Sequence, residues 1–433
     1  MMNATNRIAR TLPILMVGAL ALTACDLDLT DPNSPSEDDV LGDISGVLQV
    51  AVGLQAEYGN EQVDPVYVAA LVADEVGAGG ATFQNIQQAD AGDPIEPGTG
   101  PSEAPWAGMY DVVLVANTLL ESAPEVGLGE ATLSGVVALA QTYKAMAFGN
   151  LLMTYERIPL DVGGNATAPT FATRSEGIDE VLSLLEQARQ QIQTTTPSSV
   201  FESEVLAPGL DLEQLINGME ARYAIAFERY PEAAAAAGRV DLGSYPEFRF
   251  NSEDSNPIWN LWYNGGNGTQ MRPEDRFRLE AETGDQRVDF WTNEADISGA
   301  VVPLDEHARY SIQASSIPAF FPDEMRLIQA EVAARNNQLD DALALVNDVR
   351  TPCDSSLDEP VACLPALTAG DVPDQAAMLE EILTQRRYEL FTLGTAWRDL
   401  ERFGEPIKYQ WMNIPVTECD RNPNAPADLC ALN

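Results

Sequence analysis

The stretch EMRLIQAEVAARNNQLDDALALVNDVR, residues 324–350, carries two helical periods joined by a turn. One arm runs from Pro322 to Arg335 and the other from Leu339 to Val349, with Asn336-Asn337 as the break between them. The spacing predicts an αα-hairpin of about thirty residues. Ala330, Ala333, Ala342 and Ala344 are small enough for close helix contact, so the outline is similar to a tetratricopeptide unit. Met219 to Gly238 has a related outline, with Tyr230-Pro231-Glu232-Ala233 standing where the hairpin has Leu339-Asp340-Asp341-Ala342.

Outward from the hairpin, helical periods recur at 44–58, 66–76, 106–120, 133–153, 175–192 and 212–229. Another runs from Tyr230 to Gly238, where Pro231 suits a first helical turn, and a last one from Gln375 to Leu393 stops at Gly394. The fold class expected is all-α, built of helical hairpins. Two segments break the pattern. Residues 77–105 hold six glycines and four prolines, and 240–317 lose the helical period while concentrating aromatic, glycine and asparagine residues. Both are expected to be long irregular loop regions, with short strands around Phe248 and Val301.

The N-terminal end has a different logic. Arg7 and Arg10 precede an apolar run of about a dozen residues, short of the roughly 20 needed to span a bilayer as a helix. The run ends in Leu22-Thr23-Ala24-Cys25, which reads as a lipobox, with residues 1–24 a cleaved lipoprotein signal and Cys25 the lipidated residue. Residues 25–43 are acidic and carry Pro32 and Pro35, the composition of a flexible tether, leaving 44–433 as one helical domain.

Net charge is −43, so nucleic acid is excluded as a partner for want of a basic face, and anionic lipid would be repelled unless the acyl chains hold the protein. Cys353 with Cys363 and Cys419 with Cys430 form two close pairs, which in an exported chain read as local disulfides. Neither pair has CxxC spacing and His307, the single histidine, lies in a polar stretch expected to be an exposed loop, so no metal site is expected. No GxSxG, HExxH or GxxxxGK motif occurs, and no enzyme activity or cofactor is expected.

Taken in order, several short pieces resemble the SusD/RagB family of nutrient-binding outer-membrane lipoproteins. They are the Cys25 lipobox, Trp106-Ala107-Gly108-Met109-Tyr110 with Ala116-Asn117, Tyr155-Glu156-Arg157-Ile158-Pro159-Leu160, and Arg174-Ser175. After these come Asp285-Gln286-Arg287, the 324–350 hairpin, Arg386-Arg387-Tyr388-Glu389-Leu390, Trp397-Arg398-Asp399-Leu400 and Ile414-Pro415. Thr384, Gln385 and Thr392-Leu393 depart from the acidic residues usual there, which bears on local salt bridges. The resemblance implies a SusD-like body of paired tetratricopeptide-like helices with irregular segments on one side. It also implies capture of a nutrient oligomer, usually a glycan and sometimes a peptide, for a SusC-like TonB-dependent barrel, with the protein lipid-anchored on the outer membrane and facing the cell surface. The alternative is an envelope scaffold lipoprotein that binds a protein partner and no small ligand.

Sugar rings present apolar faces and hydroxyl edges, so a glycan site needs aromatic platforms beside amides or charges. Trp259, Trp262 and Tyr263, with Asn260, Asn264, Asn267 and Arg272, supply that mixture. The family places binding loops in comparable regions, which implies that Phe83, Gln84, Asn85 and Gln87 face them. Trp106, Tyr110, Trp291 and Trp397 are expected in the core.

Overall fold

The computed structural model describes residues 41–79, 82–95, 100–163, 168–262, 271–295 and 302–430. Helix α1 (Ile44–Glu61) starts at Asp43, whose carboxylate accepts the Gly46 N–H at 2.9 Å. Its buried positions Val47, Ala51, Leu54 and Tyr58 keep helical spacing. Then follow α2 (Val63–Val72), strand β1 (Val76–Ala78), α3 (Gln84–Ala91), α4 (Gly100–Ser122), α5 (Glu130–Thr154) and α6 (Arg174–Thr194). Helix α6 opens on a full capping box between Thr173 and Glu176. After a π-helical turn at Phe201–Val205 come α7 (Leu212–Ala226) and α8 (Tyr230–Ala237), with Pro231 in the first turn as its sequence predicts.

The middle of the chain is made of small pieces: β2 (Glu247–Phe248), α9 (Pro257–Trp262), β3 (Met271–Pro273), α10 (Arg276–Leu279), α11 (Arg287–Trp291), β4 (Thr292–Asn293), β5 (Glu306–His307) and β6 (Ile317–Pro318). The last part is helical again, with α12 (Pro322–Arg335), α13 (Leu339–Arg350), α14 (Gln375–Glu389), α15 (Ala396–Phe403) and α16 (Val416–Arg421). Neighbouring helices pack as antiparallel pairs, α4 on α5, α5 on α6, α7 on α8 and α12 on α13. Helix α5 comes unusually close to its neighbours. A Cβ on Gly149 would lie 2.4 Å from the Tyr223 ring, and one on Gly135 would lie 2.4 Å from Phe201.

One apolar core draws on residues from Val47 to Ile414, and a smaller one lies between α12, α13 and α14 around Ala330, Ala334, Ala342, Val346, Met378 and Ile382. The 324–350 hairpin forms as its sequence predicts, and Asn337 makes the turn with φ 58°, a left-handed conformation that asparagine tolerates. Ala344 departs from the expectation: it faces solvent, and Ala342 and Val346 on the opposite face make the contact.

One expectation of irregular structure needs correction. Segment 77–105 includes the end of β1, all of α3 and the start of α4, because its glycines and prolines sit at the flanks and leave 84–91 free of both. The described residues of segment 240–317 hold only two- to six-residue elements, the irregular structure with short strands that the lost period predicts. The strand near Phe248 is β2, which pairs with β6 through Glu247↔Pro318 and Phe248↔Ile317; Val301 lies outside the described residues.

Candidate functional site

Strand β1 pairs antiparallel with β3 through Val76↔Pro273, Gly77↔Arg272 and Ala78↔Met271. This ladder joins the two segments that break the helical pattern, 77–105 and 240–317, across almost 200 positions of sequence. Backbone bonds extend it on both sides: Glu274 N–H donates to Glu75 O at 3.1 Å, and Asp305 N–H to Pro273 O at 2.8 Å. Gly77 is required here, since a Cβ would lie 2.8 Å from Val302 and 2.9 Å from Leu304.

Helix α3 rests against β1, where the Ala78 N–H donates to Asp90 Oδ2 at 2.9 Å. Phe83, the residue before α3, is 63% exposed and leaves a flat ring in solvent. Gln84 at the helix start is also exposed, whereas Asn85 is buried beside Gly100 and the Tyr67 hydroxyl. The Tyr409 hydroxyl, within 2.9 Å of Gln88 O, ties the end of α3 to the C-terminal segment.

On the other side of the ladder α9 packs on β3. Asn256, fully buried, organises this part: its Oδ1 accepts the Trp259 N–H at 3.0 Å, its Nδ2 donates to Ser315 O at 2.7 Å, and its own N–H donates to Gln313 O at 2.8 Å. Trp259 is half-buried on a short helix and Asn260 is exposed beside it. The loop that Asn256 staples to α9 carries Ile312, 62% exposed, a residue that composition gave no reason to single out. Arg272 is buried within the ladder. Tyr263, Asn264 and Asn267, the side chain of Trp262, and Cys25 lie outside the described residues.

The electrostatics around the ladder are dominated by acids. Asp74, Asp90 and Glu274 bring one carboxylate oxygen each to within 4.8 Å of one another. Burial first, then the Asp74 and Asp90 charges, push the Glu274 carboxyl up to about 7. Glu75, buried and accepting the Thr392 N–H at 3.2 Å, is pushed up to about 8, mainly by desolvation.

His307 is not the exposed loop residue its polar neighbours suggest. It is 1% exposed, hydrogen-bonds through Nε2 with Thr392 Oγ1 at 3.0 Å, and sits among Trp291, Tyr310 and Phe391. Burial, with Arg309 and Arg272 nearby, lowers its pKa to about 3. Thr392 therefore fills a structural place where the resemblance would put an acid. Trp106, Trp291 and Trp397 are core residues as expected, and Tyr110 is half-buried against Trp106 with its hydroxyl donating to Pro159 O at 2.8 Å.

The motifs quoted above converge on a buried ionic framework. Arg402 pairs with Glu331 at 2.8 and 2.9 Å and with Asp399 at 2.7 Å, and Arg386 grips the same Asp399 at 2.9 and 3.0 Å. Arg287 is held by Asp285 at 2.9 and 2.7 Å and faces Glu389 at 3.6 Å, while Arg222 reaches Glu324 at 2.9 and 2.6 Å. Cys353–Cys363 and Cys419–Cys430 are both disulfide-bonded.

Residues 322–428, which carry most of this framework, match the model of the SusD family. These residues bear the SusD signature on a SusD-like fold. A SusD superfamily protein from Bacteroides fragilis superposes with a TM-score of 0.69 at 17% identity, covering 89% of this chain and 99% of that one. A SusD-like carbohydrate binding protein from Bacteroides vulgatus gives a TM-score of 0.66 at 17% identity, covering 84% of each chain. Bacteroides fragilis NanU gives 0.64 at 15% identity, covering 92% of this chain and 94% of NanU. No curated protein matches the sequence. Among the described residues no helix is long and apolar enough to cross a membrane.

Proposed function

We propose that this SusD-like chain is a lipid-anchored outer-membrane protein that captures a nutrient oligomer, in the first instance a glycan, and passes it to a SusC-like TonB-dependent barrel. The observation that supports the reading is the β1·β3 ladder, against which pack both α3, preceded by the exposed Phe83, and α9, which carries the half-buried Trp259. Flat rings beside exposed amides such as Gln84 and Asn260 suit sugar faces and hydroxyl edges. Tyr263, Asn264, Asn267 and Trp262 belong to the same stretch of sequence and complete the proposed contact set, whereas Asn85 and Arg272 are buried and in this reading position their neighbours.

In this reading the chain binds and does not catalyse, and needs no cofactor. Residues 25–43 tether the helical body to lipid through Cys25, keeping it near a membrane-embedded partner and raising the effective concentration of each for the other. Isothermal titration of the exported, unlipidated Cys25→Ser protein against an oligosaccharide and peptide panel tests capture. Binding of at least one oligomer, weakened by Trp259→Ala, supports it. If no oligomer binds while a barrel still copurifies, the scaffold reading takes its place. The Cys25→Ser protein is expected to lose membrane retention and keep its fold.

A further inference from the structure

The proposed binding platform is drawn from two segments, 77–105 and 240–317, and among the described residues neither offers an uncommitted positive charge. No lysine or arginine occurs between Arg10 and Lys144, so 77–105 brings four acids and no base. Segment 240–317 has fourteen acids against six arginines and no lysine. Five of these arginines are paired with protein acids: Arg249 with Glu247 at 2.7 Å, Arg278 with Asp305 at 2.9 and 3.2 Å, Arg276 with Asp74 at 3.5 Å and Glu280 at 3.4 Å, Arg287 with Asp285 at 2.7 Å, and Arg309 with Asp358. The sixth, Arg272, is buried within the ladder. His307 is buried and uncharged at neutral pH. Lys408, which reaches α3 from the C-terminal segment, is held by Leu71 O at 2.9 Å, by Asp90 at 3.3 Å and by Asp74. The acids are not all tied in this way, since Asp93 just after α3 and Glu253 just before α9 are exposed.

We propose that the oligomer captured by this platform carries no anionic group: it is an uncharged glycan, and not a uronate or a sulfated one. The inference rests on the capture reading and narrows its ligand class. A sugar hydroxyl is satisfied by amides and backbone groups, but a carboxylate or sulfate set down beside aromatic rings leaves water and needs a charged donor in return. The arginines that could supply one are turned to protein acids, and freeing an arginine would leave its own acid unpaired. Exposed Asp93 and Glu253 add a repulsion that acts over about 10 Å at 0.1 M salt. An uncharged ring meets neither penalty and still gains from the flat faces of Phe83 and Trp259.

The test uses the Cys25→Ser protein and isothermal titration. The probes are gluco-, manno- and galacto-oligosaccharides and the same chains after oxidation of their C6 hydroxymethyl groups to carboxylates, which keeps the ring shape and adds charge. At least one neutral chain is expected to bind, its oxidised form to bind at least about tenfold more weakly at low salt, and the gap to narrow at high salt as the repulsion is screened. Equal or tighter binding of an oxidised chain overturns the inference and leaves capture standing. A gap that salt leaves unchanged also overturns it, since the loss would then be steric. If no saccharide of either charge binds, the inference is overturned, and the peptides titrated alongside decide whether capture survives.

Discussion

In the C-terminal framework, buried Arg386 and Arg402 share Asp399, and Arg402 also holds Glu331 in a two-bond contact. Around the β1·β3 ladder the buried acids are treated differently: Glu75 accepts one backbone N–H, and the Glu274 carboxylate takes part in no hydrogen bond or ion pair with the described residues. Apart from Glu389, which meets Arg287 only at 3.6 Å, the first region ties its acids to arginines by direct hydrogen bonds and so specifies how helices pack. The second leaves its acids with few direct partners, so less of its packing is fixed by charge pairs. Backbone ladders two or three residues long and single side-chain staples such as Asn256 hold it in place.

The contrast can be broken most decisively in the framework. Arg402→Met leaves Glu331 and Asp399 facing each other with fewer opposite charges and is expected to cost about 3–5 kcal/mol in urea unfolding. Adding Glu331→Leu should recover much of that loss. A single-variant cost below about 1 kcal/mol would mean that the network does not define the framework.

His307 links the two regions, and its effect is next in size. Its folded pKa is about 3, below the ordinary 6.5, so the unfolded chain binds the proton first as pH falls. The stability it contributes is complete above pH 6.5 and is lost as pH falls from there toward 3. Thermal melts should show up to about 4 kcal/mol of acid destabilisation in that window, and His307→Gln should flatten it.

Smaller effects are expected in the platform. Asn256→Ala removes the α9 cap and the bond to Ser315 O, for a loss of about 1–2 kcal/mol, and should weaken oligomer binding by letting Trp259 and the Ile312 loop move apart. Phe83→Ala should change stability by less than about 0.5 kcal/mol while weakening oligomer binding about tenfold, read by paired melts and titrations. Trp259→Ala should also act on affinity more than on stability. Loss of more than about 3 kcal/mol of stability there would make Trp259 a core anchor.

Much of the framework was legible because its information is local. The 324–350 hairpin follows from a period of 3.6 and an Asn turn, Pro231 marks a first turn, and the motifs from Asp285 to Leu400 are the residues that pair inside the core. The platform was legible in composition but not in arrangement. Helix α3 is only eight residues long between glycine- and proline-bearing flanks, and no local signal separates the exposed Phe83 from the buried Asn85 two residues later. Ile312 and Asn256 have roles set by a contact between the α9 segment and a loop more than fifty residues away.

The sequence by itself determined the longer helices and the 324–350 hairpin, and it set the cysteines of each disulfide within eleven positions of one another, because hydrophobic period, turn residues and close spacing act within a few tens of residues. Only the tertiary structure decided that β1 meets β3, that His307 is buried, and that Asp74, Asp90, Glu274 and Lys408 lie in one cluster. Those outcomes depend on which distant surfaces exclude water from one another. No residue's own propensity encodes that, because burial is a property of the packed whole.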